Sequence, residues 1–128
     1  MSSFNIDNFL EHIMEKAKND PEIIGVILFG SYLRGNSFSD VDIVLVGKNE
    51  LTKDTMYQKR INYMKKLPMK FDVQIFQLLP LRLRKEVLSG KVLYDTCELY
   101  DLAYETIKKY DHFKKYLEDY VRGVLIES

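Results

Sequence analysis

Asp40 and Asp42 stand two residues apart, at the head of the apolar run Val41-Asp42-Ile43-Val44-Leu45-Val46. If that run is a strand, side chains alternate along it and the two carboxylates share a face. Two carboxylates side by side on a rigid strand repel unless a cation lies between them, and oxygen-only ligands suit Mg2+. Upstream, the apolar run Val26 to Phe29 is bounded by Gly25 and Gly30, as expected of a buried strand. Gly30 can adopt backbone angles closed to other residues and lets a ligand come close. Ser31 follows with a hydroxyl and an N–H at a turn into a short helix or loop, a natural seat for phosphate oxygens. A third carboxylate, Asp72, interrupts the alternating run Phe71-Asp72-Val73-Gln74-Ile75-Phe76. Buried and unpaired there, it would cost several kcal/mol. It therefore needs water, a base or a metal, or else it lies on the solvated face of an edge strand.

The elements that must hold these residues are legible from periodicity. Ser3 to Asn19 reads as an amphipathic helix, with Ile6, Phe9, Leu10, Ile13, Met14 and Ala17 at three-four spacing. His12 on that helix has no visible partner and reads as a surface or boundary residue. After the strand-turn-strand unit, Thr52 or Asp54 is placed to cap a helix over Thr55 to Leu67, with Met56, Ile61, Met64 and Leu67 as its apolar stripe and Pro68 as its stop. Leu79-Pro80 opens a short helix to Leu88, closed by Ser89-Gly90. Its Arg82, Arg84 and Lys85, with Lys65, Lys66 and Lys70, make either a solvated basic face or a surface for triphosphate or an acidic partner. Lys91 to Asp95 reads as a short strand or extended piece. From Cys97 to Ile126 a long helix keeps an apolar period through Leu99, Leu102, Ala103, Ile107, Tyr110, Phe113, Leu117, Tyr120, Val121 and Val124. Such a stripe reads as core packing. A helix this long on so small a domain also leaves apolar surface for a second chain, whether a copy or another protein.

Composition bounds the function. The 128 residues are enough for one domain with a real core, and a hydrophobic fraction of 46% fits a globular chain. We expect a single α/β (α+β) domain, with a small mixed sheet over about 20–95 flanked by helices and a long C-terminal helix over about 97–126. Lys and Arg balance Asp and Glu at 19 each, which argues against broad nucleic-acid binding. The single Cys97 excludes an internal disulfide and, with two His, leaves no obvious zinc set. No signal pattern opens the chain and no apolar run reaches membrane-spanning length, so the expectation is a cytoplasmic protein with no membrane contact.

The arrangement Gly30-Ser31, spacer, Asp40-x-Asp42, then Asp72 resembles the signature of the nucleotidyltransferase superfamily that includes DNA polymerase beta. Arg34-Gly35 also looks like that family. The spacer, Tyr32 to Ser39, is shorter than the family's common one, which shortens the loop over the phosphates. The small size and the segment Gly90 to Asp95 leading into a Tyr-rich helix resemble the minimal nucleotidyltransferases, whose best-understood members are MntA-type antitoxins paired with HEPN-domain ribonuclease toxins. That resemblance implies an enzyme that moves AMP from ATP to a tyrosine of a HEPN toxin encoded nearby and silences it. It implies Asp40, Asp42 and Asp72 as catalytic ligands of two Mg2+ ions, with Mn2+ an acceptable substitute. It implies Gly30, Ser31 and Arg34 as the nucleotide-binding residues, with Asp72 also placed to act as general base. Two other readings remain open. One is a non-catalytic antitoxin or binding module that keeps the fold; the other is a dimer that transfers nucleotide to a small molecule.

Overall fold

A computed structural model describes residues 6–30, 32, 33, 35 and 40–127. The chain runs α1 (Ile6–Lys18), β1 (Ile23–Phe29), β2 (Val41–Gly47), α2 (Lys53–Met64), β3 (Phe71–Ile75), a 3-10 turn over Phe76–Leu78, α3 (Leu81–Val87), β4 (Lys91–Tyr94) and α4 (Cys97–Glu127). The sheet order is β3-β2-β1-β4. β1 is antiparallel to both β2 and β4, and β2 is parallel to β3. A parallel pair needs a crossover connection, and α2 supplies it.

Alternation along the strands builds two apolar layers. Val26, Leu28, Ile43, Leu45, Val73 and Ile75 face α1 and α2, where Ile13, Ala17, Met56 and Tyr63 close the larger core. Ile27, Val44 and Val46 point the other way and meet Phe76, Val87 of α3 and Leu99 of α4. β1 is buried on both faces, which is why it reads as a continuous apolar run rather than an alternating one. β3 alternates buried and half-buried residues as expected, so Asp72 and Gln74 share the face opposite Phe71, Val73 and Ile75.

Several boundaries and faces differ from expectation. Positions 3–5 of the expected first helix lie outside the described residues. Thr52 does cap α2, accepting a hydrogen bond at Oγ1 from the Thr55 N–H at 3.2 Å. That helix ends at Met64 rather than Leu67, because Lys65 turns extended (ψ 140°) and Lys66 follows in a left-handed conformation (φ 69°) before Pro68 is reached. Its buried residues are Met56 and Tyr63, while Ile61 is 61% exposed. The expected stripe is right at Met56, which is buried, and at Leu67, which packs against the core beyond the helix end, and wrong at Ile61 and Met64, because Tyr63, with a polar tip, anchors the helix instead. α4 departs most. Leu99 and Thr106 are buried, but every residue from Asp111 to Arg122 is exposed, so the expected core stripe packs only over its first half. His12 and Cys97 are exposed. No helix among the described residues is long and apolar enough to cross a membrane.

Candidate functional site

The site forms where β1 ends and β2 and β3 begin. In the sheet register Phe29 pairs with Asp42, and Asp42 pairs with Asp72. Directly paired residues on neighbouring strands point the same way, with backbones about 4.8 Å apart. The alternation that sends Val41, Ile43, Phe71 and Val73 into the larger core therefore turns Asp42 and Asp72 together onto the α3/α4 face. Asp40 precedes β2 and is exposed, while Asp42 is half-buried. The N–H of Val41 donates to the Lys70 carbonyl at 2.9 Å, which ties the starts of β2 and β3 together.

Gly30 closes the other side. Its φ of +95° lies in the region that favours glycine, and a Cβ built there would come within 2.2 Å of Asp42 Oδ2. A side chain at position 30 would thus occupy the space over the carboxylate. Gly35 also has φ +95°, and its N–H donates to the Tyr32 carbonyl at 3.0 Å, shaping the turn that follows. Ser31 and Arg34, two of the expected nucleotide-binding residues, lie outside the described residues.

The electrostatics of the two strand carboxylates differ. Burial pushes the Asp42 carboxyl above its ordinary value, and the charges of Asp72 and Asp40 push it further. Among the described residues no Lys or Arg forms an ion pair with it. Asp72, by contrast, is held. Gln74 Nε2 donates to both of its oxygens, at 3.0 and 3.3 Å, and Arg60 Nη2 stands 3.6 Å from Oδ1. Arg60 reaches from α2 around the open edge of the sheet, where its Nε also donates to the Val73 carbonyl at 2.6 Å. One side chain therefore covers an edge carbonyl and braces the carboxylate beside it. Gln74 is legible in the sequence as Asp72's neighbour on one strand face; Arg60 is not, because a contact from helix to sheet edge leaves no local pattern.

The structure thus brings Asp42, Asp72 and Gly30 together, with Asp40 close enough to repel Asp42. Among the described residues no three His, Cys, Asp or Glu side chains are gathered tightly enough to enclose a metal ion outright. Two of the basic residues of the expected basic face have partners within the chain. Arg84 is structural, donating from Nε to the Leu79 carbonyl at 2.7 Å and from Nη2 to the Gln77 carbonyl at 3.0 Å. Lys85 Nζ lies 4.4 Å over the Tyr110 ring, tying α3 to α4.

Comparison with known proteins agrees with this geometry. A family profile described as "Polymerase beta, Nucleotidyltransferase" matches residues 11–99. Two curated proteins of Methanocaldococcus jannaschii, each described as a candidate protein adenylyltransferase, are similar over most of their length. One is 30% identical over 102 residues, covering 77% of this chain and 78% of that protein. The other is 28% identical over 121 residues, covering 80% and 81%. Among solved structures, a chain from a mutant MntA toxin–antitoxin structure matches with TM-score 0.67 at 24% identity, covering 96% of this chain and 99% of that one. A chain from the complex of tri-AMPylated Shewanella oneidensis HEPN toxin with MNT antitoxin matches with TM-score 0.65 at 22% identity, covering 93% and 98%. A third, from a toxin–antitoxin structure with AMP-PNP, gives 0.66 at 24%, with the same coverage. At these identities the likeness to the solved structures is one of fold.

Proposed function

The chain belongs to the polymerase beta nucleotidyltransferase family, and on that footing we propose that it transfers AMP from ATP to a tyrosine of a HEPN-type ribonuclease toxin and so silences it. The observation that carries this reading is the register pair Asp42–Asp72 turned to one face beside Gly30. The adenylyltransferase descriptions of the curated relatives and the AMPylated toxin among the fold neighbours support the acceptor class.

The donor set fits a divalent cation. It is all oxygen, and the neighbouring charges that raise the Asp42 pKa are the repulsion a cation relieves. Asp40 and Asp42 would hold one ion, and a second would draw Asp72 in toward them, since the three side chains are not gathered as they stand. Mg2+, when bound, neutralises charge on the triphosphate and on the leaving pyrophosphate and lowers the pKa of the attacking hydroxyl. The chain's own groups do the rest. The backbone at Gly30 lets the β- and γ-phosphates approach, with Ser31 and Arg34 placed by the motif to hold them. The phenolic oxygen of the acceptor attacks the α-phosphorus in line. The bond from that phosphorus to the pyrophosphate oxygen breaks, and the phenolic proton passes to the Asp72 carboxylate. Gln74 and Arg60 fix that carboxylate's orientation, so the rate gain comes from positioning and charge compensation.

The experiment is mass spectrometry of the helical HEPN-type partner after incubation with this protein, ATP and Mg2+. The partner should gain one or more AMP units, each about 329 Da by the chemistry of adenylyl transfer, and lose its ribonuclease activity. The double variant Asp40→Asn, Asp42→Asn should bind the partner yet leave its mass and activity unchanged. Protection by the double variant with no mass gained would replace the enzyme by a binding module that acts through coverage alone.

A further inference from the structure

Helix α4 carries one apolar seam with two environments. Leu99, Thr106 and Tyr110 in its first half, then Phe113, Leu117, Tyr120 and Val124 in its second, fall on the alternating three-four spacing of a heptad repeat, with Ala103 completing the series. The first half is spent within the chain: Leu99 is 3% and Thr106 4% exposed, and Tyr110 lies under Lys85. The same seam then continues with Phe113 52%, Leu117 47%, Tyr120 62% and Val124 50% exposed. A sustained 3.5-residue period is the pattern that pairs helices, and it does not stop where the domain stops.

The exposed half lies at a telling place. Leu99 packs against Gly25, whose partner Val46 is at the end of the sheet away from the carboxylates. Tyr110, about 16 Å further along the helix, lines a cleft with Arg82, Lys85 and Glu86 of α3 and Ser89 just past its C-terminal end. The next residue, Gly90, lies so close over β1 that a Cβ would be 2.5 Å from the Leu28 carbonyl oxygen, and Lys91 pairs with Leu28. Leu28 is one residue from Phe29, the partner of Asp42. α4 therefore crosses the sheet toward its carboxylate end, and the unpacked turns run on past it.

Charge selects the occupant. With Tyr110 at a seam position, the positions flanking the seam between Ile107 and Gly123 carry only two charged residues, Lys109 and Lys114, while Asp111, Glu118 and Asp119 lie on outward positions. A second copy would place no acid opposite these lysines in either orientation, and in a parallel pair Lys109 would face Lys114. We propose that the exposed half of α4 docks an amphipathic helix of the protein acceptor, apolar at heptad spacing and acidic at the flanking positions. The resulting two-stranded coiled coil delivers the acceptor to the carboxylate end of the sheet. The identity of the occupant as the acceptor rests on the proposed transferase activity; the chemistry of the docking helix does not.

The test uses the full chain and two synthetic four-heptad peptides with leucine on the seam, one with glutamate and one with lysine at every flanking position. Fluorescence anisotropy should show the glutamate peptide binding at least about tenfold more tightly than the lysine peptide. Leu117→Asp should weaken glutamate-peptide binding at least about tenfold, and Lys114→Glu should narrow the preference between the two peptides. Both substitutions are on exposed positions, and the thermal response to ATP and Mg2+ should stay as in wild type. Equal binding of the two peptides, binding indifferent to Leu117→Asp, or a dimer of the chain alone that Leu117→Asp dissociates would overturn the proposal. Charge-selective peptide binding in a protein with no response to ATP and Mg2+ would uphold the docking seam and defeat the transferase reading.

Discussion

Two half-buried aspartates, Asp20 and Asp42, sit at opposite ends of β1 and its neighbour β2, and the chain treats them in opposite ways. Asp20 follows α1 and precedes β1. Lys59 Nζ donates to both of its oxygens at 2.9 Å, Tyr63 Oη donates to Oδ2 at 2.9 Å, and the Glu22 N–H donates to Oδ1 at 3.0 Å. Burial works to raise its pKa, but the bonds from Lys59, the Glu22 N–H and Tyr63 outweigh it and leave the carboxyl below its ordinary value. Asp42 is buried to a similar degree, yet its charged neighbours are Asp72 and Asp40, and its carboxyl is raised. A carboxylate that serves the fold is supplied with its cation by the fold. One left among like charges in the same small domain is a candidate for a cation from outside.

The largest expected effect is at the compensated site. Asp20→Ala strands the Tyr63 hydroxyl, removes the acceptor of the Glu22 N–H and leaves the Lys59 ammonium only Glu22 Oε1, 2.7 Å away, and urea denaturation should show a loss of about 3 kcal/mol. The sign of its pH dependence follows from the lowered pKa. Asp20's contribution is present above the unfolded value of about 3.9 and is lost as pH falls through the folded value. A loss under 0.5 kcal/mol, the range of an ordinary surface change, would erase the contrast between the two sites.

Next in size is Gly30→Ala, which combines a strained φ with a methyl group aimed at Asp42 Oδ2. A destabilisation of about 2 kcal/mol in the same assay is expected. Asp42→Gly removes the obstructing carboxylate, so Gly30→Ala should cost less in the Asp42→Gly background than in wild type, and the remaining cost is the share due to φ.

The smallest effect carries the opposite sign. With a raised folded pKa, Asp42's contribution is full below the unfolded value and is lost as pH rises through the folded one. Asp42→Asn should therefore melt higher than wild type at pH 7 in the absence of metal and nucleotide, with the gap closing toward about pH 4. A variant that melts lower at pH 7 would show that Asp42 is a structural carboxylate like Asp20.

Much of this contrast was visible in the residues and some was not. Asp42 and Asp72 were legible because both interrupt apolar strands, and strand alternation assigns each a face without any tertiary knowledge. Gly30 was legible because a glycine closing an apolar run has few other uses. The Asp20–Lys59–Tyr63 cluster left no such mark, since its members meet across 39 and 43 residues of chain. For the same reason periodicity favours Ile61 over Tyr63 in α2. In α4 the sequence carries the period but not its environment. Heptad spacing is identical whether a seam meets its own sheet or another protein, so only the structure divides Leu99 and Thr106 from Phe113 and Leu117.

If the Asp42 site takes a cation and a nucleotide from outside, a thermal melt reveals it. Melting temperatures are compared for wild type and Asp42→Asn at pH 7, with and without ATP plus Mg2+. A ligand at 100 times its dissociation constant stabilises the folded state by about 2.7 kcal/mol, a rise of several degrees in a domain of this size. That rise is expected in wild type and little or none in Asp42→Asn, although the variant starts from the higher melting temperature. Equal rises in the two proteins would contradict binding at this site.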